Sequence, residues 1–239
     1  EYYVKRQNLK TEPKDMTLHF YYSMKLIFNN QWEYYCKQII LANVGCVELC
    51  NAHIFGSISL TQSTVIINGC IFEKPLSGVD YFVSATNHSV CKISNSNFIE
   101  TQLYGLCVDD YSEMSLDSSI ILKCGLSSLS VTGHSKCYAI SSSFLESNSN
   151  GIVVNNESEI YFTSCIIKNT KKKGMNISSS SAKLKNCTFA NNGSGAISFT
   201  KSLGNIMDNC QIQNSSSVSV KVDNSRLTIQ DSYITKSKK

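Results

Sequence analysis

The chain has 239 residues, of which 42% are hydrophobic and 17% charged, and its formal net charge is +4. A charge so weak and so dispersed gives no reason to expect nucleic acid as a partner. No apolar run is long enough to cross a bilayer as a helix, so no membrane partner is expected either.

In chain order, residues 1–43 read as an N-terminal lead-in and aromatic cap. Residues 1–15 are polar and carry Pro13; 16–22 and 24–28 are strand-like; Trp32, Tyr34 and Tyr35 add an aromatic cluster. A stack of strands leaves unpaired backbone at its end, and bulky aromatics are a natural cover for it.

From Val44 to Lys239 one register takes over. Phe72, Phe98, Ile121, Phe144, Ile167, Phe189, Ile212 and Ile234 follow one another at intervals of 26, 23, 23, 23, 22, 23 and 22. Two residues before each rung stands Cys or Ser, and five before it an apolar residue (Ile67, Ile93, Leu116, Ala139, Phe162, Leu184, Met207, Ile229). A fixed period of this size marks a repeat architecture. Each unit holds short period-2 stretches bounded by Asn, Ser and Gly, without the apolar spacing of a helix and without the Leu offsets of leucine-rich repeats. The expected fold is all-β: a right-handed, single-stranded parallel β-helix with coils of about 22–23 residues. Ile54 aligns with Phe72, giving one short coil. The 26-residue coil carries about three extra residues, expected in the loop with Pro75 and Gly78, and insertions in solenoids collect on one face.

The chain has eleven Cys. Cys70, Cys165, Cys187 and Cys210 alternate with Ser at one inward position, and Cys91 and Cys137 fall in another apolar ladder. The count is odd and no disulfide framework emerges. Buried, reduced thiols and an intracellular, cytoplasmic protein are therefore expected. Asn-x-Ser/Thr sequons, among them Asn176-Ile177-Ser178, support the secreted alternative.

Carried by Asn186-Cys187-Thr188-Phe189 and Gly151-Ile152-Val153, the register over roughly 44–239 resembles the parallel β-helix repeats of the pectin-lyase-like superfamily. That resemblance takes in pectate lyases, polygalacturonases and phage tailspikes. It also takes in non-catalytic members, the β-helix regions of F-box proteins and of SHC SH2-domain-binding proteins, to which this chain is most similar. Polygalacturonase-like hydrolases carry Asn-Thr-Asp, Asp-Asp, Gly-His-Gly and Arg-Ile-Lys motifs on successive coils. Here Ala85-Thr86-Asn87, Asp109-Asp110 and Gly133-His134-Ser135 follow at one-coil intervals, but the first lacks its acid, the third its second Gly, and no Arg-x-Lys follows. If the chain is an enzyme, Asp109, Asp110 and His134 are the candidates. The plainer reading is a shared turn, where Asp, Asn and Gly are favoured.

No Cys/His set has zinc-ligand spacing, and no cofactor or metal is expected. Lys168, Lys171, Lys172 and Lys173 form a basic loop, a candidate interaction site for phosphate or an acidic partner. The expected function is a non-catalytic protein–protein interaction scaffold; the alternatives are a polysaccharide-active enzyme and a glycan-binding spike. Nothing bulky follows Ile234, and the chain starts at Glu1. A further part of the same protein, or another protein, is accordingly expected on the last coil.

Overall fold

The computed structural model describes residues 17–20, 33–75 and 78–235. Strands are the only regular elements among them. One coil illustrates the rest: Tyr104–Val108 lies in a first sheet, Glu113–Asp117 in a second, Ile120–Cys124 in a third. Each strand pairs in parallel with its counterpart one coil before and one coil after. Among the described residues the second sheet has nine strands. The first and third count as one sheet of eighteen because His53–Thr61 runs through the corner and pairs with both.

The stack begins before Val44. Thr17–Phe20 pairs with Glu33–Ala42, which pairs with His53–Thr61. The proposed aromatic cap at Trp32 lies outside the described residues, as do the side chains of Tyr34 and Tyr35.

The rungs superpose as the register requires. Ile54 pairs with Phe72, then Phe98, Ile121, Phe144, Ile167, Phe189, Ile212 and Ile234 follow in one line. From Ile54 to Ile212 every one is fully buried. Phe72 and Phe98 stack at 4.9 Å between ring centroids, a spacing that follows from strands about 4.8 Å apart. The three extra residues fall where expected: eight positions separate Glu73 from Tyr81, but five separate their partners Ile99 and Tyr104.

Two corner ladders tie the coils together, and only one is legible as a small-residue column. Ser96, Ser119 and Ser142 each accept the backbone N–H of the coil before (3.1–3.2 Å) and donate to the carbonyl two residues back. Cys70 and Cys210 replace the hydroxyl with a thiol and keep the donation to that carbonyl. The other ladder, nine or ten residues before each rung, is wholly serine: Ser63, Ser89, Ser112, Ser135, Ser158, Ser180, Ser202 and Ser225. Each hydroxyl there meets a buried N–H at a sharp corner, where no sheet bond reaches it. The ten cysteines whose side chains are described are free thiols.

Candidate functional site

The corner between first and second sheets gathers Asn87-His88, Asp110-Tyr111, Gly133-His134 and Asn156-Glu157 on successive coils. All eight residues have left-handed backbones, with φ from 52° to 62°. Asn and Gly enter that region cheaply, which explains the composition of the turn. Asp109 Oδ1 accepts the Asp110 N–H at 2.8 Å. It also packs on Gly133 so closely that a Cβ there would overlap the carboxylate. The rings of His88, Tyr111 and His134 stack at 5.3 and 4.9 Å, and His134 Nδ1 lies 3.5 Å from Glu157. The fold thus brings Asp109, Asp110 and His134 onto adjacent coils of one turn. The Asp109 and His134 side chains have local structural tasks, and Asp110, Tyr111 and His134 stand exposed on an outer corner.

The third corner, leading from third to first sheet, differs. A cleft of about 830 Å³ runs along it, lined among others by Lys74, Glu100, Lys123, Glu146, Asn169 and Lys171. The first five stand two residues after successive rungs, so they form one column over five coils, about 19 Å of the axis. All have positive φ, between 41° and 63°. Lys74 Nζ and Glu100 Oε2 are 3.8 Å apart. Two features of the floor come from small residues and insertions: Pro75 of the long loop forms part of the wall, and Gly125 rests on the Gln102 carbonyl with no room for a side chain.

Sequence reasoning missed this column, although its signal was at hand. Lys, Glu, Lys, Glu, Asn, Asn, Asn occupies rung-plus-two from Lys74 to Asn214. The basic loop joins the cleft only through Lys171. Lys172 is exposed, and Lys168 and Lys173 are half-buried. Backbone bonds from Lys171 to Ser147 and Lys172 to Ser149 hold the loop against the preceding coil.

On the second sheet, Tyr138 and Tyr161 stack at 5.1 Å and Lys183 Nζ lies 5.0 Å from the Tyr161 ring centre. Tyr161 donates to Glu159, and that bond, ahead of burial, pushes its phenol up to about 12. Among the described residues no three His, Cys, Asp or Glu gather as a metal-binding group, and no helix is long and apolar enough to cross a membrane.

Residues 127–238 match the family model for the right handed beta helix region. The fold is a right-handed parallel β-helix. No curated protein sequence matches the chain. Among solved structures, it is similar to a double mutant of the periplasmic alginate epimerase AlgG, with a TM-score of 0.59 at 10% identity, over 90% of this chain and 77% of that one. It is also similar to full-length tailspike protein 2 of an Escherichia coli bacteriophage, with a TM-score of 0.54 at 14% identity, over 90% of this chain and 39% of that one. At such identities the likeness is one of fold, and function has to be argued from this chain's own residues.

Proposed function

We propose that the chain is a glycan-binding β-helix that holds a linear, polar polymer along the third-corner cleft. The observation that carries this reading is the column Lys74, Glu100, Lys123, Glu146, Asn169, which presents a donor or acceptor every coil along a groove of about 830 Å³. A straight groove with repeating polar groups suits a polymer of repeating hydroxyl and carboxyl groups. It does not suit a protein helix, which would need apolar anchors. The epimerase that shares the fold acts, by its name, on alginate, so an acidic glycan is the first ligand to try. Calorimetric titration with alginate and polygalacturonate oligomers tests the proposal. Saturable binding, weakened about tenfold in Lys123→Ala and Glu146→Ala, supports it. Absence of binding to either oligomer, or equal binding by both variants, sinks it.

The scaffold reading has one observation of its own. Val222, Ile229 and Ile234 of the last described coil are 46%, 46% and 42% exposed, and among the described residues the strands that hold them pair on one side only. On this reading a further strand, of the same protein or another, continues the ladder there. The stacked free thiols support a reducing, intracellular site for that partnership.

A further inference from the structure

On the outer face of the first sheet, Asn176, Ser198 and Lys221 occupy one column on successive coils. Their strand neighbours Met175 and Ile177, and Ile197 and Phe199, are buried in the core, so period 2 turns Asn176 and Ser198 outward. Ser198 is nevertheless only 1% exposed, and its Oγ has no hydrogen-bond partner among the described residues. Buried hydroxyls are almost always bonded, so an orphan of this kind calls for an explanation.

The surroundings supply one. Lys173 Nζ donates to Asn176 Oδ1 at 3.1 Å. Burial, and after it the charge of Lys221, hold the Lys173 ammonium below its usual range. Neither Lys173 nor Lys221 pairs with a carboxylate among the described residues. The one acid on the outer face of this strand is Asp223, two residues beyond Lys221 and beside Thr200. Lys171 and Lys172 add positive charge on the approach from the third corner.

We propose that Lys173, Asn176, Ser198 and Lys221 form a binding site for a small oxyanion, the carboxylate or phosphate group of a ligand. Because the Ser198 hydroxyl is covered in the free chain, the exposed Lys221 side chain moves aside to admit the anion, which then accepts from that hydroxyl and sits between two ammonium groups that otherwise repel each other. The site does not depend on the glycan proposal, since the cleft's last lysine is Lys171 and none of these four residues lines it.

The test is an amide chemical-shift titration of the whole chain with sodium phosphate and, separately, sodium acetate, against sodium chloride at matched ionic strength. The expected result is saturable shifts centred on Asn176, Ser198 and Lys221 with at least one oxyanion; which one saturates identifies the ligand group. Ser198→Ala and Lys221→Gln each weaken that binding about tenfold, the effect of one charge-assisted hydrogen bond. Lys221 is exposed, so its variant folds even if a change at Ser198 disturbs the sheet. Shifts that follow chloride without saturating, or affinity unchanged in both variants, overturn the proposal.

Discussion

Lys74 and Glu100 meet across adjacent coils, Nζ to Oε2 at 3.8 Å, from backbones that are both left-handed (φ 41° and 63°). Both side chains are more than half exposed, and such a pair stabilises little. The backbone cost is larger, because L-residues other than Asn and Gly enter this region at about 1 kcal/mol or more. Further along the same column the fold uses Asn169, Asn191 and Asn214, and Asn191 donates to Asn169. Charged residues are therefore retained on four of the five coils that line the cleft, against local preference. Retained strain of this kind clusters where a surface does something else. Lys123→Asn and Glu146→Asn should each raise stability by about 1 kcal/mol while weakening glycan binding. Urea midpoints and the calorimetric titration together check this; a variant that gains stability and keeps full affinity removes the argument.

The core makes a simpler prediction. Phe98 is fully buried, stacked on Phe72 at 4.9 Å and 5.8 Å from Phe82. Truncation to Ala opens a cavity that rigid ladders on every side cannot close. Phe98→Ala should cost about 3–5 kcal/mol, measured by chemical denaturation. A loss under about 1 kcal/mol, below the usual range for large-to-small changes, would mean the rung is not packed as described.

The serine ladder separates hydrogen bonding from packing. Ser135 Oγ accepts the buried Ser112 N–H at 3.1 Å. Ser135→Ala strands that donor and should cost about 1–3 kcal/mol. At the other corner nature already interchanges the groups, so Ser119→Cys should cost less than Ser119→Ala. Equal losses in the two Ser119 variants would show that the hydroxyl only fills space.

How much of this was legible turns on periodicity. The rung and the Cys/Ser corner repeat with residues of one chemical kind, and the insertion at Pro75 breaks their spacing, so the register exposes all three. The serine ladder repeats just as strictly, but Ser is so common in this chain that its column does not stand out. The cleft was harder still. Its column changes from Lys to Glu to Asn because the shared property is a backbone conformation, which residue type reports only loosely. The Asp109-Asp110 pair stood out for the opposite reason: it echoes a catalytic motif, while its position is set by the demands of a turn.

Alkaline pH should loosen the stack. Burial pushes the thiols of Cys70 up to about 11 and of Cys124 up to about 12, and raises those of Cys91 and Cys137 as well. In the unfolded chain a thiol ionises near 9. Above that pH the unfolded state binds fewer protons than the folded one, so stability falls as pH rises through 9 towards the folded values; below 9 these thiols add no slope. Each contributes about 1.4 kcal/mol per pH unit within that window. Urea midpoints across it should fall, and fall less steeply in Cys91→Ala than in the parent chain. A variant with the parent's slope would assign the alkaline loss to Tyr and Lys instead.

The last prediction concerns cleavage. Glycoside hydrolysis needs two carboxyl groups facing each other across the bond, about 5–10 Å apart. At the first corner Asp109 is engaged by the Asp110 N–H and packed on Gly133, and His134 lies between Tyr111 and Glu157. Asp110 is left on an exposed turn, with turn residues Asn87 and Gly133 on the coils either side of it rather than a second acid. In the cleft, Glu100 and Glu146 are two coils apart, about 10 Å and so at the upper end of that range, but Lys123 stands between them and Lys74 already pairs with Glu100. The outcome expected under the binding proposal is binding without bond-breaking. Incubation with polygalacturonate, with and without added Ca²⁺, should release neither reducing nor unsaturated ends above a blank. Activity that disappears in Asp110→Asn would make the first corner catalytic, and activity that disappears in Glu146→Gln would place the chemistry in the cleft.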